Sequence, residues 1–194
     1  MLQYAAFQRP KYSEIIIGDV YFVSKADPPL IALADGLGSG YSAWYAANAA
    51  ASVIKNAWRN YPEFTDLREI LWECHQKLKK TRGAAAALAY LNKNEDQLHF
   101  AGIGNIKLQV FGMLNKKISS QAGIIGANMP KKITTHKIPF FRSSLGVVSS
   151  DGINLSSLSP AVVMDNSSLI EKAKKIVEIS EKIDDRTVIV FRST

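Results

Sequence analysis

The chain has 194 residues, of which 47% are hydrophobic and 21% charged, a balance that supports one sizeable core and excludes a disordered or membrane-embedded chain. No apolar stretch approaches the about 18 residues of a spanning helix, and the start, MLQYAAFQRPK, lacks a basic segment followed by a long apolar one, so a cytoplasmic protein with no membrane partner is expected. The net charge of +7 is scattered along the chain without interleaved aromatics, which argues against a nucleic-acid partner.

In chain order, Ile15 to Val23 and Leu30 to Ala34 read as buried strands of a hairpin, because Pro28 and Pro29 between them cannot continue a ladder. Trp44, Ala47, Ala51, Ile54 and Trp58 then recur at helical spacing, with Ser39 or Ser42 available as the cap. A second helix is expected from Asp66 to about Lys80. Leu67, Ile70, Leu71, Cys74 and Leu78 share its apolar face, and Asp66 with Glu69 gives a capping-box-like start.

After Gly83, the runs AAAALAYL, QLHFAGIG and NIKLQVFG read as successive strands of a meander. LGVVSSDG supplies a buried strand ending at Asp151, Ser168 to about Lys182 reads as a helix capped by Ser168 and Glu171, and Thr187 to Arg192 is the last strand. Strands and helices do not alternate strictly, so the expected class is α+β, with antiparallel sheets covered by helices in a single domain over residues 1–194. The one cysteine, Cys74, excludes an internal disulfide, and its apolar surroundings argue against a nucleophilic thiol.

Four aspartates fall at or beside strand ends: Asp19 in GDVYF, Asp35 in ADGLGSG, Asp151 in SSDGIN and Asp184 in DDRTVIV. A single Asp-Gly is most often a turn. Four carboxylates at strand ends carry a desolvation cost that a cation relieves most simply. His75, His99 and His136 show no ligand spacing, so oxygen ligands point to a hard ion, Mg²⁺ or Mn²⁺. Gly36 and Gly152, following two of the aspartates, would permit a sharp turn and let a carbonyl face a metal. Two ions about 4 Å apart could activate a water between them and neutralise a phosphate oxygen.

The rival reading of GLGSG is a nucleotide loop. Gly36, Gly38 and Gly40 space as G-x-G-x-G, not G-x-G-x-x-G, and about 20 residues on, where a ribose-binding acid would stand, the chain reads Lys55, Asn56, Ala57. No Gly-Lys-Ser or Gly-Lys-Thr occurs either.

GD at 18 and 19, ADGLGSG at 34 to 40, RGAAAAL at 82 to 88, GIGN at 102 to 105, SDG at 150 to 152 and DDRTVIV at 184 to 190 resemble, in order, the motifs of the metal-dependent serine/threonine protein phosphatases (PPM, type 2C). More narrowly they resemble the short bacterial branch that acts on regulators of stress and sporulation sigma factors. The resemblance implies a four-layer α/β/β/α sandwich, two packed antiparallel sheets flanked by helices, with two Mn²⁺ or Mg²⁺ ions in a cleft at one end. It implies that Asp35 bridges the ions, that Asp151 and Asp184 complete the first, that the Gly36 carbonyl helps hold the second and that Asp19 acts near the second, directly or through water. Asp185 falls outside that set, where it would support the ligand residues from behind.

Departures from the pattern carry their own expectations. Larger relatives place a His just after the Asp-Gly to protonate the leaving serine oxygen; here Leu37, Gly38 and Ser39 follow, so the proton must come from water. Asn105 stands where many relatives have Asp for an additional metal, which argues against a third ion, and Ala85 replaces a common Thr as a packing variation. The implied activity is phosphoserine/phosphothreonine hydrolysis by direct attack of activated water, without a covalent intermediate. The implied substrates are phosphorylated stressosome proteins, which would make the chain a negative feedback regulator of the general stress response. The alternatives are a phosphorylated anti-anti-sigma factor as substrate, or a phosphatase-like module that binds without catalysis. A monomer is expected, docking its partner through the Gly- and Lys-rich stretch Asn115 to Lys137.

Overall fold

In the computed structural model, the described residues are 1–11, 14–60, 66–155, 158, 160–181 and 183–194. Long apolar runs become central strands because both of their faces are covered, and shorter, more polar runs become edges. The elements run β1 (Leu2–Arg9), β2 (Asp19–Ser24), β3 (Leu30–Gly36), α1 (Gly40–Asn60), α2 (Leu67–Leu78), β4 (Ala84–Asn92), β5 (Gln97–Ile103) and β6 (Lys107–Phe111). They continue with β7 (Lys116–Ser119), β8 (Thr135–Pro139), β9 (Leu145–Ser149), the short α3 (Pro160–Val163), α4 (Leu169–Glu178) and β10 (Arg186–Ser193).

The strands form two five-stranded sheets, ordered β1-β10-β9-β6-β7 and β2-β3-β4-β5-β8, with antiparallel pairing throughout. Helices α1 and α2 cover the second sheet, and α4 packs on β1 and β10 of the first. Three apolar layers result. Ala32, Ala34, Ile54, Trp58 and Leu71 fill the space under α1 and α2; Ile31, Leu33, Phe100, Ile189 and Phe191 fill the space between the sheets; Val147, Val188, Val190, Ile176 and Val177 lie under α4. This is the four-layer α/β/β/α sandwich.

Small residues set the spacing of the first layer. Ala43, Ala46, Ala47 and Ala50 of α1 are fully buried, so the helix backbone comes close to β3. Of the expected helical face, Trp44 is only half-buried, while Ala47, Ala51, Ile54 and Trp58 are buried. The helix begins at Gly40, which leaves Ser39 before it and places Ser42 inside its first turn rather than at a cap position.

Several expectations need correction. The hairpin forms in register, but its first strand begins at Asp19; Ile15 and Ile16 lie outside it, exposed, in a bend. The meander is broken: β4 pairs with β5, whereas β6 belongs to the other sheet, and the chain crosses over at Gly104 and Asn105. The strand expected to end at Asp151 ends at Ser149. At α2 only half of the capping box is made, with the Asp66 side chain accepting from the Arg68 backbone N–H, whereas Ser168 and Glu171 make the full reciprocal box at α4. Helix α4 stops at Glu178, short of the expected end near Lys182, which lies outside the described residues.

Candidate active site

Antiparallel register brings the first two carboxylates together. Asp19 opens β2 and pairs directly with Asp35 near the end of β3. Asp35 shares its strand face with Ile31 and Leu33, which pack between the sheets, so both carboxylates stand at one end of the inter-sheet layer. Like charges directly opposite on one sheet face repel. Asp19 is only 4% exposed, and neither of its carboxylate oxygens has a hydrogen-bond partner among the described residues.

The other sheet supplies the remaining acids. Ser150 locks the end of β9 to the start of β10: its backbone N–H donates to the Thr187 carbonyl (3.1 Å), and its hydroxyl accepts from the Thr187 N–H (3.0 Å). This bridge sets Asp151 beside the Asp184–Asp185 turn. Asn105, at the crossover between sheets, donates its amide to Asp151 Oδ2 at 2.5 Å. Asp35, Gly36, Asn105, Asp151 and Asp184 line one open cleft of ≈ 430 Å³, and Asp19 lies beneath Asp35 rather than on its wall.

Asp185 takes the supporting place expected of it, through partners its sequence position did not disclose. It is 6% exposed, and its carboxylate accepts from the backbone N–H of Lys11 (2.9 Å) and of Gly18 (2.6 Å). It therefore fixes the segment that enters Asp19. Ala85 is also more than a packing substitution, since it pairs with Asp35 across β3 and β4 and lines the cleft.

The glycines after the aspartates serve close approach, not a turn of unusual backbone angle. A Cβ on Gly36 would stand 1.8 Å from the Ala43 carbonyl oxygen of α1, and one on Gly152 would stand 2.1 Å from the Asp185 carbonyl oxygen. The left-handed angles belong to Gly38 (φ 98°) and Gly40 (φ 68°), which turn the chain from β3 into α1.

Electrostatics match this geometry. Burial, opposed in part by the hydroxyls of Thr187 and Ser150 and reinforced by the charges of Asp185 and Asp151, pushes the Asp19 carboxyl up to about 7. Burial and then the charges of Asp19, Asp151 and Asp184 push Asp35 up to about 9. Asp151 is raised as well, by burial and by Asp184, against the lowering influence of the Gly152 N–H and Lys107. As the side chains stand, the set is open: among the described residues no three His, Cys, Asp or Glu close on a single point.

The remaining candidates lie elsewhere. His75 accepts from the Gly126 N–H at 3.0 Å, His99 bonds the Tyr90 hydroxyl at 2.8 Å, and His136 packs near Phe100. Cys74 is buried on α2, its thiol pushed up to about 12 by burial and by Glu73, which removes it as a nucleophile. No described helix is long and apolar enough to cross a membrane.

No protein-family model matches the chain. Solved structures match it over nearly its full length, among them the PPM serine/threonine phosphatase MsPP of Mycobacterium smegmatis (TM-score 0.81, 12% identity, covering 99% of this chain and 98% of that one), a likeness of fold alone. The fold is thus the one that PPM serine/threonine phosphatases have. Within it, the chain is 29% identical over 185 residues to the phosphoserine phosphatase RsbX of Bacillus subtilis (strain 168), covering 94% of this chain and 86% of that protein. A magnesium complex of RsbX superposes with a TM-score of 0.83 at 24% identity, covering 100% of this chain and 96% of that one. A chain solved in work on the bacterial stressosome, as a modular system adapted to control secondary messenger signaling, superposes with a TM-score of 0.91 at 28% identity, covering 99% of this chain and 100% of that one.

Proposed function

We propose that residues 1–194 form one phosphatase unit that hydrolyses phosphoserine or phosphothreonine on a regulatory protein, with Mg²⁺ or Mn²⁺ as cofactor. The observation that carries this reading is the Asp19–Asp35 pair: a buried carboxylate facing a half-buried one on the cleft wall, with neither oxygen of Asp19 in hydrogen-bond geometry with a partner among the described residues. Such a pair is costly unless a cation occupies the space in front of it. The donor set, carboxylates with a backbone carbonyl at Gly36, fits a hard divalent ion.

In this reading Asp35, Asp151, Asp184 and the Gly36 carbonyl would hold two ions, with Asp19 behind Asp35 acting directly or through water. Bound there, the ions would supply an activated water and neutralise the phosphate oxygens. The chain's own residues do the positioning. Asn105 orients Asp151, and Asp185 holds the Gly18 segment so that Asp19 meets Asp35. The cleft is open to solvent and, among the described residues, carries no histidine on its wall, so the leaving serine oxygen takes its proton from water.

The likeness to RsbX and to the stressosome-related chain supports a phosphorylated stressosome protein as substrate, and hence a role in switching off a stress response. The stretch Asn115–Lys137 supports docking beside the site, because Ala122, Gly123 and Ile124 lie on the cleft wall; it is not wholly irregular, containing β7 and the start of β8.

The test is hydrolysis of para-nitrophenyl phosphate and of a phosphoserine protein by the purified chain with Mn²⁺ or Mg²⁺. Activity should require the ion and disappear with a chelator. Turnover that survives thorough chelation contradicts the metal reading, and binding of the phosphoprotein without turnover points to a module that does not catalyse.

A further inference from the structure

The carboxylate cleft has a cationic neighbour that the reading above leaves without a task. Arg82 sits in the turn between α2 and β4, and the next residue, Gly83, accepts the Leu37 N–H on its carbonyl at 3.0 Å. That bond ties the Arg82 turn to the Asp35–Gly36–Leu37 segment. A Cβ on Gly38 would stand 2.7 Å from Arg82 Nη1, so the guanidinium lies over Gly38, which itself lines the cleft. Gly38, at φ 98°, keeps this space free of any side chain.

Two observations say that this arginine is available to a ligand. It is exposed, and it lines a groove with Tyr41, Tyr45 and Lys80, so it is reachable from solvent. Among the described residues its guanidinium makes no hydrogen bond or ion pair. A planar, permanently charged fork held at the rim of an anionic cleft suits a tetrahedral dianion that enters the cleft.

We propose that Arg82 binds the phosphate group of the substrate, presenting its fork to the oxygens that face away from the carboxylates. The proposal rests on the phosphatase reading and assigns the residue that admits a phosphate to a cleft otherwise lined by negative charge. It places Arg82 in substrate binding, outside the metal set.

Two measurements on the full chain decide it. Inorganic phosphate is titrated calorimetrically into Mg²⁺-loaded wild type, R82A and R82K, with Mg²⁺ affinity measured in the same samples. Steady-state kinetics on para-nitrophenyl phosphate then separate KM from kcat. The expected result is phosphate affinity weakened and KM raised by about 10- to 100-fold in R82A, the scale of one charge-assisted pair, with a smaller change in kcat, unaltered Mg²⁺ affinity and partial recovery in R82K. Unchanged phosphate affinity and KM in R82A, a parallel loss of Mg²⁺ affinity, or a wild type that binds no phosphate would each overturn it. A wild type that hydrolyses no phosphate ester contradicts the phosphatase reading instead, and the calorimetric titration, which needs no turnover, still decides the role of Arg82.

Discussion

Two aspartate sites in this molecule stand in opposite surroundings, Asp165 exposed and paired, Asp19 buried. At the start of α4, Asp165 accepts from the ammonium of Lys172, from the Ser167 N–H (3.1 Å) and from the Ser167 hydroxyl. The Lys172 ammonium also donates to the Asp165 backbone carbonyl at 2.7 Å, and its side chain is 5% exposed. These partners, Lys172 first, hold the Asp165 carboxyl far below the usual range. At the sandwich end, Asp19 is as buried as Lys172, and among the described residues it has no ion-pair partner, only the Thr187 and Ser150 hydroxyls close by and outside hydrogen-bond geometry. The fold neutralises a carboxylate where structure alone is at stake. Where it leaves two facing each other, the proposed function has the missing partner supplied from outside.

The largest expected effect separates the two sites by activity. Asp35→Asn or Asp151→Asn should lower turnover of para-nitrophenyl phosphate by about 1000-fold or more, since each removes a charged ligand from the cleft and no core volume. Full activity in both would dissolve the distinction between the sites. The smaller effect runs the other way. Lys172→Met should lower the melting temperature by a few degrees, because Ser167 and solvent still stabilise the half-exposed Asp165, and it should leave kcat/KM unchanged. A lost activity there would mean that the α4 end communicates with the cleft.

Much of this architecture was legible in the residues, where local signals and tertiary packing agree. Ser168 and Glu171 spell a capping box and make one, and Pro28 with Pro29 marks the hairpin that sets Asp19 opposite Asp35. The strands that escaped notice are edges. β1 pairs with β10 residue by residue yet is half-buried along most of its length, so it lacks the alternation that announces a strand. β7 and β8 are short, lysine-bearing edges for the same reason. The meander misreading arose because hydrophobic runs report burial and not which sheet buries them; the crossover at Gly104 (φ 109°) is a tertiary event. Asp185 could be read as a supporting residue, but its partners could not, because they are backbone N–H groups of Lys11 and Gly18, more than 160 residues away in the chain. Arg82 emerged only once the fold laid its turn over Gly38.

The claim that the Asp19–Asp35 pair is a cost awaiting a cation is tested most directly by melting temperature against pH, with and without Mg²⁺, for wild type and Asp35→Asn. Both carboxyls are raised in the folded state, Asp19 to about 7 and Asp35 to about 9, above the ordinary value of 3.8. The unfolded chain therefore releases these protons first, and stability without metal should fall as pH rises from about 4 through about 9. Saturating Mg²⁺ should raise the wild-type melting temperature by roughly 5–10 °C, with the gain largest at alkaline pH, where no proton has to be displaced. At about pH 8 without metal, Asp35→Asn should melt above wild type and gain little from Mg²⁺. A variant that melts below metal-free wild type, together with a wild type indifferent to Mg²⁺, would contradict the account.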